Sequence, residues 1–598
     1  LPQGGVWQQD KAVETKGFTP SQPLGVTVRL AESATEPLGV RITLADSLDR
    51  VLAEDQATMA AGSTELTVTF PPQALVDQGV EVMVELSSAG RVIDVSQQRA
   101  VAYRPRVWNR FWYTSWGGQY LWRTKYLFDY NNRLVRDFGV DVSFWGDTEI
   151  GTGKVRDNAF WGVNHSYLGL LSYLGRGVPN FMDKALGTKM AKYAKTGDKA
   201  QLERTPCLVD PEWREAMRKK LVDRVQPMMA AGGCYDYCMG DEMSLTSYTK
   251  FHDYDWSPAS LVDFRRWLKT RHANLAALNK AWDTAFATWD AVLPLTREEA
   301  REAANPAPWF EFRSYMNTQL ADLYRFIVKA IRDIDPHAQC GLSGTQSPEA
   351  GNGMDWWKQA FSFGYYHSYN TSWSNEMRRS FQYVGGAEQS PYFSGYSARN
   401  PGAENRMWWC LFHDTRGISA WKTGLFFHGD FSKTRSGVDT QGHLRSFRRG
   451  IWRLLRGAKR QHDGIAIYYS MPTIITGALT GETKKINAAR DAWVKILEDC
   501  GLQYEFVSGE QVAAGFLRKD GAFKAVVLPY TLALSQAESE ALHSFVKTGG
   551  ALLATRPIGV RDEMGRPQKP SLLADVFGAK IDGPPQPMPQ SATLEMAI

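Results

Sequence analysis

Tyr237-Cys-Met-Gly-Asp-Glu242 is a short apolar and aromatic run that ends in two adjacent carboxylates, and Met243-Ser-Leu-Thr-Ser-Tyr248 follows it with polar, loop-like residues. A run of this length bounded by turn chemistry reads as a buried strand. In a barrel of eight alternating strands and helices, chemistry collects at the C-terminal strand ends. Glu242 falls at such an end. A carboxyl group there can protonate a leaving group and later activate water.

Outward from this stretch, residues 105–455 alternate strand-like runs with amphipathic helical ones, which predicts a (β/α)8 TIM barrel with long loops. The predicted strands are Asn109–Tyr113, Val140–Trp145, Gly177–Met182, Cys234–Met239, Ala338–Leu342, Phe361–Tyr366, Pro391–Ser394 and Gly424–His428. Residues 1–104 instead alternate apolar and polar, as in Val80-Glu-Val-Met-Val-Glu-Leu86, and predict an N-terminal β-sandwich. Residues 456–577 carry apolar runs such as Gly464-Ile-Ala-Ile-Tyr-Tyr469 and Ala525-Val-Val-Leu528 between helical stretches. They predict a small doubly wound, flavodoxin-like α/β domain. No G-x-G-x-x-G turn follows its first strand, so a dinucleotide site has no support. Residues 578–598, with Gly583-Pro-Pro-Gln-Pro-Met-Pro589, read as a linker or the start of a further region.

Composition narrows the function classes. A length of 598 residues predicts several domains, and a hydrophobic fraction of 43% with 22% charged residues is that of an ordinary globular protein. A net charge of +5 with no dense basic tract argues against nucleic acid as a partner. No apolar stretch is long enough for a membrane span. The six cysteines (Cys207, Cys234, Cys238, Cys340, Cys410, Cys500) lack the spacing of a zinc set and read as free buried thiols. No cofactor or metal is expected. The start at Leu1 fits a mature exported chain or a shortened one. The expected location is periplasmic or extracellular rather than cytoplasmic. Tryptophan is the outlier, with 21 residues. Most will fill cores, but Trp112, Trp116, Trp145, Trp256 and Trp373 stand beside polar residues where a flat ring could face a sugar.

The order of parts resembles glycoside hydrolase family 42, the β-galactosidase-like family of clan A, over roughly residues 105–577. The resemblance is carried by Thr205-Pro-Cys-Leu-Val-Asp-Pro-Glu-Trp-Arg-Glu215, by Gly240-Asp-Glu242 where the family has Asn-Glu, and by Phe264-Arg-Arg-Trp-Leu268, Leu278-Asn279, Trp282, Phe286 and Trp289. Asn305-Pro306, Asp335-Pro336, Ala525-Val-Val-Leu-Pro529 and Val546-Lys-Thr-Gly-Gly-Ala-Leu-Leu553 complete it. It implies a barrel followed by a trimerisation-type domain, hence a homo-oligomer (trimer or dimer) acting on an oligosaccharide.

Residue by residue, the resemblance makes Glu242 the general acid/base and Arg110 a substrate-binding arginine. Asp241 departs from the family's Asn. It adds a charge beside Glu242 that should raise the pKa of one of the pair. The seventh strand departs further: Ser390-Pro-Tyr-Phe-Ser-Gly-Tyr-Ser-Ala-Arg399 holds no carboxylate where the family keeps its nucleophile. Retaining enzymes need a second carboxyl about 5 Å away and inverting ones need it roughly 6.5–9.5 Å away. Asp430, expected at the end of strand eight, is the chosen substitute; its competing reading is a loop cap or a salt bridge to Lys433 or Arg435. Glu404 is the alternative carboxylate, and Tyr396 is a tyrosine that could itself attack or bind substrate. Trp112, Trp145, His367 and His428 complete the expected binding set. Asp147 and Glu149 after strand two are candidate pocket residues, and so are Tyr366, Tyr369 and Asn370 at the end of strand six. The expected function is cleavage of a β-galactoside or galactan-derived oligosaccharide. The alternatives are a carbohydrate-binding protein on a degenerate barrel, and a hydrolase of a sulfated or anionic sugar with a non-standard nucleophile.

Overall fold

Among the described residues, nine short parallel strands occupy eight positions around the centre of the chain. A computed structural model describes residues 21–101 (except 74 and 76–78), 111–116, 125–144, 164–165, 181–230, 236–369, 371–385, 388–389, 392–394, 403–421, 426–458 and 460–578 (except 556). Six antiparallel strands come first: β1 (Leu24–Arg29), β2 (Leu38–Asp46), β3 (Val51–Met59), β4 (Glu65–Phe70), β5 (Gly79–Ser88) and β6 (Arg91–Val101). They form a β1-β4 pair and a β3-β2-β5-β6 sheet. Alternate residues of both, such as Val28, Val68, Ile42 and Val84, meet in one apolar cluster, as the period of two along a strand requires.

The central strands are β7 (Trp112–Trp116), β8 (Val142–Phe144), β9 (Asn164–His165), β10 (Tyr237–Asp241), β11 (Cys340–Thr345), β12 (Tyr365–Ser368), β13 (Glu388–Gln389), β14 (Tyr392–Ser394) and β15 (Gly417–Ala420). Their sheet orders are β10-β11-β12-β13 and β14-β15-β7-β8-β9, with every pairing parallel. β13 and β14 are two pieces of one strand position, separated by two residues, and β15 returns to β7. The core of the chain is thus a (β/α)8 TIM barrel. Along β10, Tyr237 and Met239 turn outward to the helix layer, whereas Cys238 turns inward to meet Trp112, Trp116, Val142 and Tyr365.

The outer layer follows from helical periodicity. Helix 307–332 starts behind Pro306 and buries Phe312, Met316, Leu320, Leu323, Ile327 and Ile331 against β10 and β11. The spacing of three and four makes one apolar stripe, and each such side chain contributes about 1.5–3 kcal/mol on burial.

Two strand assignments are corrected. Asn164–His165 is the third strand, paired to β8. Phe181 and Met182 are not in a strand, and residues 177–180 lie outside the described residues. Gly417–Ala420 is the eighth strand, paired to β7 through Gly417–Trp112, Ile418–Tyr113, Ser419–Thr114 and Ala420–Ser115. The Phe-Phe pair that suggested strand eight lies beyond it: Phe426 and Phe427 fill the space around Tyr113, Phe138 and Leu444, and Phe427 makes only an isolated antiparallel bridge to Lys433. Ser and Ala in the true strand carry little apolar signal, so the bulkier neighbours outweighed them.

Four parallel strands follow: β16 (Ile465–Tyr469), β17 (Tyr504–Ser508), β18 (Ala525–Leu528) and β19 (Ala551–Ala554), ordered β17-β16-β18-β19. The exposed edge of β17 is covered by barrel helix 372–385. Phe506 N donates to Ser380 Oγ at 2.9 Å, and Arg379 Nη2 donates to Tyr504 O at 3.0 Å. Covering an edge strand satisfies backbone groups that would otherwise pair with another chain. Of the described cysteines, Cys238, Cys340 and Cys410 are buried, while Cys207 is half-buried and Cys500 is exposed.

Candidate active site

The strand ends place a small set of groups together. β10 ends at Asp241, and Glu242 follows with φ +52°, in the left-handed region that non-glycine residues rarely adopt. Such a residue costs about 1–3 kcal/mol and persists where its surroundings over-determine it. Here Glu242 N donates to Ser343 O on β11 at 3.0 Å. Gly344, the next residue on β11, also has a positive φ of +55°. A Cβ at Gly344 would stand 2.6 Å from Asp241 Oδ1 and 2.7 Å from Glu242 Cγ. Only glycine lets the two strand ends approach this closely. Gly344→Ala is therefore expected to cost about 2–4 kcal/mol through overpacking and left-handed strain. The measurement is the denaturant midpoint at unchanged slope.

The Tyr369 hydroxyl, just past β12, donates to Glu242 Oε1. On the other side Trp116, at the end of β7, donates from Nε1 to Ser343 Oγ at 2.9 Å. Trp421, just past β15, meets Trp116 with ring centroids 5.7 Å apart. Burial and then the charge of Glu242 push the Asp241 carboxyl up to about 7, with the Glu242 backbone N–H and the Ser343 hydroxyl opposing. Burial alone lowers His367, on β12, to about 3, so that it is neutral at ordinary pH.

The loop after Glu242 is laced down. Leu245 N donates to Asn352 O at 2.8 Å. The fully buried Arg204 donates from Nε to Leu245 O at 2.9 Å, and its backbone N–H goes to Asp255 Oδ1 at 2.9 Å. These anchors limit how far Glu242 can move. Among the described residues, no group of three His, Cys, Asp or Glu side chains could hold a metal ion.

Several expected residues stand elsewhere. Asp430 lies ten residues beyond β15, in a solvent-facing turn, where its Oδ1 accepts from Ser432 N at 2.9 Å and Ser432 Oγ at 2.6 Å. It caps a turn; the strand end expected for it belongs to Gly417–Ala420. His428 opens the same turn and is exposed, its backbone N–H donating to Ser432 O at 2.8 Å. Trp112 begins β7 and is buried inside the barrel rather than at its mouth. Trp256 belongs to the outer apolar layer, with Lys199 Nζ 4.8 Å above its ring. Trp373 stacks on Trp356 and under Arg490. Glu404 falls in the first turn of helix 403–412, after β14. Arg110, Trp145, Asp147, Glu149, Asn370 and Tyr396 lie outside the described residues.

Trp421 and Gly344 escaped the sequence reading. Their only signals were an aromatic closing the weak run Gly417-Ile-Ser-Ala-Trp421 and a glycine inside Leu342-Ser-Gly-Thr345.

The described strand ends thus bring a carboxylate pair, a tyrosine and two tryptophans together at one end of a parallel barrel. Glycoside hydrolase family 42 is the family this chain is similar to: its family model, described as "Beta-galactosidase", matches residues 243–415. A curated β-galactosidase from Arthrobacter sp. is 30% identical over 102 residues, which span 16% of this chain and 14% of that relative. The solved β-galactosidase of Rahnella sp. R3 superposes with a TM-score of 0.58 at 12% identity, over 78% of this chain and 74% of that one. That of Bacillus circulans sp. alkalophilus gives 0.57 at 14%, over 79% and 74%. That of the psychrophilic Marinomonas ef1 gives 0.55 at 13%, over 78% and 79%. At these identities the structures share the fold.

Proposed function

We propose that the chain is a glycoside hydrolase that cleaves a β-galactoside or galactan-derived oligosaccharide, with Glu242 as its acid/base group. The observation that carries this reading is Glu242 itself. It is held at the C-terminal end of β10 by Ser343 O and Tyr369, beside the segment that matches the family. One oxygen takes the Tyr369 hydrogen bond, which leaves the other to meet a glycosidic oxygen. Asp241, Trp116 and Trp421 stand near enough to shape a sugar site. As second carboxylate, Glu404 takes the place in the proposal that Asp430 loses, because a helix that follows a barrel strand begins on the mouth side.

We read the flanking units as a β-sandwich and a flavodoxin-like domain. The shared cluster under the two N-terminal sheets and the four-stranded parallel order at the C-terminal end support this. Assembly into a homo-oligomer is part of the same proposal, supported by the family resemblance.

Incubation with aryl β-galactosides and with galactan fragments tests the reading. Release of galactose or of shortened oligosaccharides, seen by mass spectrometry, is expected. Binding of the same sugars without any product would leave a binding protein instead.

A further inference from the structure

Tyr369 donates to Glu242 Oε1, yet Tyr369 is 43% exposed. With so much of the ring in solvent, its placing rests on the backbone that carries it. That backbone is tied into the first turn of helix 372–385. Ser374 Oγ donates to Tyr369 O at 2.7 Å, and Ser374 N donates to Thr371 Oγ1 at 3.3 Å. Trp373 stands in the same turn, and its ring is gripped from outside. It stacks on Trp356, of helix 356–360, with centroids 5.2 Å apart and planes 20° from parallel. Trp356 is itself fixed, because its Nε1 donates to Gln346 O at 2.8 Å. The Arg490 guanidinium lies 3.7 Å from the Trp373 ring centroid. Arg490 belongs to helix 483–499 of the C-terminal unit, and Asp491 Oδ1 accepts from its Nε at 2.9 Å. At the inner end of the row, the Arg378 guanidinium lies 3.7 Å from the Trp356 centroid and 4.4 Å from that of Tyr366 on β12. Among the described residues, Arg490 is the only member of this row that comes from outside the barrel.

We propose that Arg490 is a positioning residue. By stacking on Trp373 it holds the first turn of helix 372–385, and through that turn it holds the Tyr369 hydroxyl against Glu242. This rests on the glycosidase reading of the site. A guanidinium over an indole face is attracted by the ring's quadrupole, more strongly when it is shielded from water, and the Arg490 side chain is only 16% exposed. Its planar shape also matches the flat ring, which an ammonium group would not. Without it one face of Trp373 is released and the turn gains freedom. A displacement of about 1 Å at a reacting group costs on the order of 100-fold in rate. The loss falls on the proton delivered by Glu242, because Glu242 is the group that Tyr369 orients. The C-terminal unit thus contributes to turnover without touching the sugar.

The experiment is a double-mutant cycle of Arg490→Ala and Tyr369→Phe, read by steady-state kinetics on natural and on activated aryl β-galactosides. Arg490→Ala is expected to lower kcat on natural substrates by about 10–100-fold. Its KM should stay within about twofold, and its loss on activated aryl glycosides should be smaller. In the Tyr369→Phe background the same change is expected to cost less than about twofold, because the hydroxyl it positions is gone. An unchanged kcat, an equal loss on both substrate classes, or the full further loss in the Tyr369→Phe background overturns the proposal. If Arg490→Ala does not fold, Arg490→Gln carries the same cycle under the same criteria. The second readout is independent of turnover: the near-ultraviolet circular dichroism of the stacked Trp373–Trp356 pair, defined as the signal that Trp373→Phe removes. Arg490→Ala is expected to weaken it, and an unchanged signal overturns the proposal. If the signal weakens while the wild type cleaves no glycoside, the glycosidase reading has failed and the hold of Arg490 on Trp373 stands.

Discussion

Glu242→Gln lowers glycoside turnover by about 10²–10⁴-fold, the usual contribution of a positioned general acid/base. A thousandfold loss corresponds to about 4 kcal/mol of barrier. The amide keeps the side chain's shape and still accepts from Tyr369, so the fold and KM should change little. What disappears is the proton delivered to the leaving oxygen and the base that later activates water. The loss should therefore be largest for natural sugar leaving groups and smaller for activated aryl glycosides, which depart with less protonation. Asp430→Asn is the contrasting variant. Its carboxylate caps a turn through Ser432 in solvent, so turnover should stay within about twofold, as expected for a surface change away from the chemistry. Steady-state kinetics on both classes of substrate separates these outcomes. Equal damage from the two variants, or none from Glu242→Gln, would remove Glu242 from the chemistry.

Glu376→Ala destabilises the fold by about 3–5 kcal/mol, the cost of stranding a buried ionic network without one partner. Glu376 lies on barrel helix 372–385 and is completely buried. Its two oxygens accept from Arg460 Nη1 at 3.1 and 3.0 Å, and Arg379 Nε donates to it at 2.9 Å. His413 completes the ring through Nδ1. Arg379 also reaches Tyr504 O on β17, so the network ties the barrel to the C-terminal sheet. Burial alone would raise the Glu376 pKa, but Arg379, the His413 bond and Arg460 overcome it and hold the carboxyl well below the usual range. A carboxyl depressed in the folded state adds stability above its unfolded pKa of about 4.3 and loses it as pH falls toward the folded value. Denaturant unfolding at neutral pH should therefore show the full loss. The variant's stability should also fall less steeply in acid than the wild type's.

How much of this was legible beforehand depends on the residue. Tyr237–Glu242 could be read because an apolar run, a glycine and a carboxylate pair follow one another within six positions, and the barrel places its chemistry where that run ends. The long helix 307–332 was equally open to reading, because its apolar stripe repeats every three and four residues. Gly417–Ala420 was not. In a closed parallel barrel a strand is defined by its neighbours, and Gly-Ile-Ser-Ala has too little apolar bulk to announce itself next to Leu425-Phe-Phe427. That error carried Asp430 with it, since its assigned place depended on a strand end that lies ten residues earlier.

The sequence alone determined the class of the barrel, the place of the Asp241-Glu242 pair at the end of a barrel strand and the absence of a carboxylate in the seventh-strand run Ser390–Arg399. These depend on local order along the chain. Only the tertiary structure decided which side chains meet. Tyr369, Ser343, Gly344, Trp116 and Trp421 come from four other strand positions, far apart in sequence, and their contacts exist only once the barrel closes. It also put Asp241 where burial raises its pKa, because burial is a property of packing in three dimensions.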